Sequence, residues 1–439
     1  MPWIGSARIS VVLEPDAVPV RRWRYVLDTL DLLVVLLLNV SVGTAVAWLV
    51  AFCFSEGLVL SGQTAENQSN ATFLTGTLLW VQVFFCSMVL VTRATSLMRL
   101  EFNCRPGRSA ARSSSSLPPL WRRARLEMYL ITVIDYLFFA AVDSSARRIY
   151  RHETRQGQQT ASIKSAGSPR LGQTQPVRAA LPFRTCVSSV RRVLLHSASA
   201  FVATIVPLVA VHSIQLAGPI HQGNTLLWLT LGSTAFKILV QEVARRHVLR
   251  RRIVNPRNMA LVVCIPTVLI DTQVRVLLIG PQDTRTGLYG SLLLAVLELC
   301  VRVAKLALVQ RKLRQRTADA MTATWTQQVL RHHAVEVAAD MYAEYLAIGC
   351  SSAILFFFSS HAKFRLPGAT ASASIVSTLK TWGGQVAIEL LVDVVSCLAE
   401  HLSGLSFAPI QQERRFFMFL FAAIAVVNVC FSAMLHTNG

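Results

Sequence analysis

Residues 32–54 read LLVVLLLNVSVGTAVAWLVAFCF, 23 residues without a charged side chain. At about 1.5 Å of rise per residue, a helix of that length reaches roughly 35 Å, enough to cross the ~30 Å hydrocarbon core of a bilayer. Lipid offers no partner to a backbone N–H or C=O, so a single segment spans it only as a helix. The run begins too far into the chain, and runs too long, to be read as a cleaved signal peptide. Eight further runs meet or approach the same requirement: residues 73–92, 193–214, 225–240, 259–280, 288–309, 340–359, 379–399 and 416–435. They are too long and continuous for barrel strands. The expected fold class is all-α, a polytopic membrane bundle of about nine transmembrane helices.

The composition agrees. Of 439 residues, 53% are hydrophobic and only 15% charged, with a mean hydropathy of +0.47. A soluble globular domain carries about 25% charge. A string of soluble domains is excluded, and the long apolar runs exclude disorder along the whole length. The 43 Lys and Arg residues against 23 Asp and Glu give a net charge of +20. In a soluble chain that balance suggests nucleic acid. Here the Arg residues cluster between apolar runs, so the expected partners are the bilayer and, through the basic loops, anionic inner-leaflet lipids, with no nucleic acid. Nothing in the sequence sets an oligomeric state.

The basic residues also orient the chain. With the N-terminus in the cytosol and the spans alternating, cytosolic segments hold 35 Lys and Arg residues, and external ones hold only Arg285, Lys363 and Arg365. Without the long 93–192 stretch, which counts little toward orientation, the balance is still 17 to three. The chain then divides into a cytosolic segment (1–31), a first hairpin (32–92) with an external loop at 55–72, a basic and largely disordered cytosolic loop (93–192), and a seven-span bundle (193–439) with an external C-terminus. Within the loop, Met128–Val142 is apolar apart from Asp135, but its 15 residues reach only about 23 Å. Arg-rich flanks on both sides make it a re-entrant or bundle-buried helix. Lys237, near the end of the short 225–240 run, is expected to snorkel and extend that span.

Low-complexity stretches in the loop, Ser113 to Ser116 with Pro118 and Pro119, and residues 155–178, read as a basic linker held to the inner leaflet. Phosphorylation of Ser113–Ser116 beside Arg112 is the sharper alternative, an electrostatic switch. The external loop carries two glycosylation tripeptides at Asn67 and Asn70, which suggests a eukaryotic plasma membrane or endomembrane protein. Seven of the nine cysteines (Cys53, Cys86, Cys264, Cys300, Cys350, Cys397, Cys430) lie in apolar runs as packing residues. Cys104 and Cys186 fall in basic segments, so no disulfide framework is readable. Cys104, close to a membrane end, is an inert thiol or a palmitoylation site.

Charges inside spans carry the functional signal, because each costs about 2.5–3.5 kcal/mol on insertion scales unless paired or hydrated. One hairpin holds Asp271 and Arg275, then Glu298, Arg302 and Lys305. Acid precedes Arg by four residues on both helices, so each pair is expected to self-neutralise on one face. Pro266, one turn before Asp271, is expected to kink its helix. The last hairpin holds Asp340 and Glu344, then Glu389, Asp393, Glu400 and His401, after a His332–His333–Glu336 approach.

Three readings divide this set. In the first, Asp271, Glu298, Glu344, Glu389 and Asp393 bind a cation or share a proton, with Arg275, Arg302 and Lys305 as counter-charges, because like charges in low dielectric resist joint ionisation. In the second, Arg302 and Lys305 simply glue the hairpins by pairing with Glu344, Asp393 and their neighbours, and the protein is a non-catalytic scaffold or regulator. In the third, His332 or His333 with Glu336 and Asp340 hold a metal; their spacing matches no HExxH pattern, and such a stripe at a membrane surface is ordinarily a solvated face. No P-loop, nucleophile elbow, dinucleotide fingerprint or zinc spacing is present in the sequence. The expectation is a transporter-like or channel-like protein, not an enzyme, without a cofactor.

Overall fold

In the computed structural model the described residues are 20–97, 129, 130, 133, 209, 212, 223–250, 256–279, 284–316, 322–366, 375–402, 405, 407 and 414–437. Their regular elements are all helical: α1 (Val20–Ser55), α2 (Asn70–Leu97), α3 (Gly223–Arg250), α4 (Pro256–Ile279), α5 (Thr284–Arg316), α6 (Thr322–Phe358), α7 (Ile375–Leu402) and α8 (Arg414–His436), with one 3₁₀ turn at Val59–Ser61. Among the described residues, four stretches are long and apolar enough to cross a membrane: Val26–Ser61, Val329–Phe358, Leu379–Leu402 and Arg414–His436. Of the expected 193–214 span only 209 and 212 are described, and of the Met128–Val142 helix only 129, 130 and 133; most of the 93–192 loop lies outside the described residues, as do Cys104, Cys186 and Ser113–Ser116.

Helix α6 is the centre. Every residue from 332 to 354 is buried, and α1, α4, α5, α7 and α8 all pack against it. A helix buried on all sides needs neighbours on all sides. Helix α1 shows the opposite, two-faced pattern. Leu32, Leu36, Val40, Ala47, Val50 and Phe54 are buried, whereas Leu38 and Leu49 are each 59% exposed on the other face. Aliphatic side chains turned outward along a long helix suit hydrocarbon rather than water.

Small residues and short polar bonds bring the central helices together, as is usual where lipid removes the hydrophobic drive between them. Gly349 of α6 faces Thr44 of α1 so closely that a Cβ would strike the threonine side chain. Gly43 likewise admits Leu346 and the Phe421 backbone. The Asn39 amide donates to the Tyr342 hydroxyl (3.1 Å), Gln273 to Ser432 (2.6 Å) and Asn428 to Thr272 (2.5 Å). Tyr342 also stacks on Phe421, ring centroids 4.3 Å apart. Helix α4 runs on through Pro266, and Thr267 returns a hydrogen bond to the Val263 carbonyl (2.8 Å).

The α1–α2 turn is built around one buried amide. Gly57 closes α1 at φ 62°, in the left-handed region that favours glycine. Gln68 Nε2 donates to the Glu56, Leu58 and Gln63 carbonyls (3.2–3.3 Å), and its Oε1 accepts from Leu58 N (3.0 Å). Ser69 Oγ then caps α2 by accepting from Thr72 N (3.1 Å). After α6, residues 359–366 fold over the same end. Phe364 stacks on Phe358 (4.0 Å), bridges Thr437, and with His361 contacts Phe73 (5.5 Å each). Asn67 and Asn70 are both exposed here, and Lys363 donates to the Asn70 amide oxygen (3.1 Å).

Two expectations need correction. The span read as 340–359 begins earlier, because α6 is continuous from Thr322 and its membrane-length part starts at Val329. His332, His333 and Glu336, expected on a solvated face, are only 2–3% exposed. They end the apolar run in the sequence, yet polar partners on neighbouring helices bury them.

Candidate functional site

Five helices direct charged side chains into one column along α6. The α6 contribution is His332, Glu336, Asp340 and Glu344, spaced four residues apart and so on one slowly turning stripe about 18 Å long. Helix α7 faces it with Thr381, Gln385, Glu389, Asp393, Ser396 and Glu400, all buried. Helices α3, α4 and α5 add Lys237 and Gln241, Asp271 and Arg275, and Glu298, Arg302 and Lys305.

The bonds run between helices. Lys237 is the hub: its ammonium reaches Asp271 of α4 (2.8 Å), Glu298 of α5 (2.9 Å) and Glu344 of α6 (3.4 Å). Arg302 bridges Glu344 of α6 and Asp393 of α7, one terminal nitrogen to each. Arg275 donates to Glu389 of α7 (2.5 Å). One layer along, Lys305 bonds Gln241 (2.7 Å) and Glu336 (3.0 Å) and lies 3.8 Å from Asp340, to which Gln241 also donates (2.6 Å). At the end where α6 begins, His332 sits 3.6 Å from Glu336, and His333 3.9 Å from Glu400.

This geometry revises the expected pairing. Asp271–Arg275 and Glu298–Arg302 do not self-neutralise within their helices; each member bonds to a different helix. Lys237 does not snorkel. It is 6% exposed and serves three carboxylates. Lys305 serves Glu336 and Asp340, neighbours of Glu344 along α6, as the gluing reading allowed. Arg302 does meet Glu344 and Asp393, as depth matching along the two hairpins suggested. His332, Glu336 and Asp340 do not form the tight acid group; among the described residues that group is Glu298, Glu344 and Glu389, whose carboxylate oxygens lie within 4.8 Å of one another.

Counting charge decides what the column can do. Eight carboxylates (Asp271, Glu298, Glu336, Asp340, Glu344, Glu389, Asp393, Glu400) are each at most 5% exposed. Among the described residues, four bases (Lys237, Arg275, Arg302, Lys305) share the column with them. Charging both His332 and His333 would still leave two acids in excess, and His401 sits beside Asp28 of α1. Each uncompensated ion held out of water costs several kcal/mol. Among the described groups the excess is a demand for protons or other positive charge. The spare capacity is visible at the atoms: Glu298 Oε2, Glu336 Oε2, Glu389 Oε2, Asp393 Oδ2 and both Glu400 oxygens are buried without a hydrogen-bond partner.

The described residues thus present a continuous buried chain of titratable groups from Glu389 to Glu400 and His332. No protein-family model, curated protein or solved structure matches this chain.

Proposed function

We propose that this chain is a multi-pass membrane protein of about nine spans, N-terminus in the cytosol, that moves protons or another cation through the column. Glu298, Glu344, Glu389 and Asp393 are the carrier groups, and Lys237, Arg275 and Arg302 are counter-charges that let them change state inside lipid. The observation that carries this reading is that, among the described residues, eight buried carboxylates face only four bases in the column. A purely structural network gains nothing from surplus acids, each of which opposes its neighbours' ionisation. A carrier needs sites that are filled and emptied. Thr381 and Gln385 extend the α7 stripe beyond Glu389, so polar groups run along most of that helix. The bilayer is its solvent, and the basic segments face anionic lipid.

A second reading, a membrane scaffold held together by ion pairs, is favoured by one observation: all four bases bond across helices. The two separate in proteoliposomes. Purified full-length protein is reconstituted with a pH dye inside, and a potassium gradient with valinomycin sets the potential; parallel vesicles carry a sodium dye. The carrier reading expects flux above protein-free vesicles, lost in Glu298→Gln with Glu389→Gln while the variant still folds. Absence of any proton or sodium flux from folded protein supports the scaffold.

A further inference from the structure

The carrier reading leaves the ion open, and the geometry around Arg275 narrows it. Arg275 is 1% exposed, and only its Nη2 is committed, to Glu389. Its Nε and Nη1 are donors without a partner, beside acceptors without a partner on Glu298 and Glu389. The Tyr345 hydroxyl, buried to 3% exposure, lies among Asp393, Glu344 and Glu389. Unmet donors and unmet acceptors thus meet at one point. A metal ion satisfies acceptors only, and would be repelled by Lys237, Arg275 and Arg302.

Calcium and magnesium also ask for more oxygens than these side chains leave free. Calcium takes six to eight and magnesium about six, at roughly 2.0–2.6 Å. Both Glu344 oxygens are already bonded, to Lys237 and Arg302. What remains is Glu298 Oε2, Glu389 Oε2, Asp393 Oδ2 and the tyrosine hydroxyl. A proton needs only two oxygens, and the 4.8 Å limit on the Glu298–Glu389 separation admits them directly or through one bridging water.

Resting on the carrier reading, we infer that Glu298 and Glu389 hold a proton between them beside the Arg275 guanidinium, so that the ion this column takes is H⁺ and not a metal cation. The groups that face the pair are Lys237 from α3, Asp271 and Arg275 from α4, Arg302 from α5, Glu344 and Tyr345 from α6, and Asp393 from α7. With the pair itself these groups make five carboxylates (Asp271, Glu298, Glu344, Glu389, Asp393) against three bases (Lys237, Arg275, Arg302), so two negative charges around the pair are left without a base.

Infrared spectroscopy of the full-length protein in nanodiscs tests this, first on the wild-type chain and then on a variant that elutes as folded protein. A buried protonated carboxyl gives a carbonyl stretch apart from the amide and carboxylate bands. The expected result is such a band at neutral pH that shifts when the protein is made with ¹³C-glutamate and stays put with ¹³C-aspartate. It is lost in Glu389→Gln and unchanged by sodium, magnesium, calcium or chelator. No glutamate carbonyl band at neutral pH, or a band removed by adding one of those metals, overturns the inference. Sodium flux in proteoliposomes without the band would overturn the proton and keep the carrier; the band without any flux would keep the bound proton and overturn the carrier.

Discussion

Replacing Arg302 by Gln removes the one guanidinium that joins α5 to both α6 and α7. Glu344 retains Lys237 at 3.4 Å, but Asp393 loses its sole ion-pair partner among the described residues while staying fully buried. Breaking a buried pair from one side costs about 3–5 kcal/mol. An independent bound agrees. Asp393 would escape by taking a proton, and protonating an aspartate of ordinary pKa near 3.9 from solution at pH 7 costs about 4 kcal/mol. The loss should therefore be about 3–5 kcal/mol at pH 7 and should shrink by about 1.4 kcal/mol for each unit of acidification, as the proton becomes cheaper. Reversible denaturation in mixed micelles, read by tryptophan fluorescence, measures it. Adding Asp393→Asn to Arg302→Gln should restore at least half of the loss, because the orphaned charge is gone. A single variant within about 1 kcal/mol of wild type at pH 7, or a double variant no better than the single, would refute the pairing argument.

Lys237→Met strips a base from three acids on three helices, so it should cost at least as much as Arg302→Gln, about 3–5 kcal/mol or more, with expression recovered by Asp271→Asn plus Glu298→Gln; recovery is read as monodisperse protein on size exclusion. Gly349→Val should lose about 1–3 kcal/mol to overpacking against Thr44, and Thr44→Ala in the same chain should return most of it in a thermal melt. His361, in the loop over the α1–α2 end, has its pKa lowered from the ordinary 6.5 chiefly by burial, against the Phe73 and Phe364 rings. The folded loop therefore binds its proton less readily than the unfolded chain. Its contribution is present at pH values above about 6.5 and is lost as pH falls through the unfolded value toward the folded one. Proteolysis of the 359–366 segment should rise on acidification, and His361→Asn should flatten that pH dependence.

How much of this was legible beforehand depended on which forces act locally. The α1 and α8 helices follow from their apolar runs, since lipid leaves the backbone no other solution. Arg302 meeting Glu344 and Asp393 was also readable, because counting residues inward from the span ends puts these groups at matching depths. The start of α6 was not. His332, His333 and Glu336 look like the end of a span when hydropathy is read along one helix, and partners such as Lys305 and Glu400 on other helices make their burial tolerable. Lys237 failed for the same reason. A lysine near a span end snorkels or pairs according to what faces it, and the three acids that hold it come from α4, α5 and α6. The i, i+4 spacing of Asp271 with Arg275 correctly put both on one face, but that face meets Lys237 on one side and Glu389 on the other. Intrahelical pairing lost to partners that also tie helices together.

The central claim is that surplus carboxylates in the column load and release protons, and charge movement is its most direct readout. Full-length protein in vesicles adsorbed to a solid-supported membrane is given an abrupt pH step at constant sodium, potassium and chloride. The account predicts a transient current whose sign follows the proton gradient, insensitive to exchange of sodium for potassium, and abolished by Glu389→Gln with Asp393→Asn in a variant that elutes as folded protein. No current from the wild type, or a current that persists undiminished in the folded double variant, would contradict it.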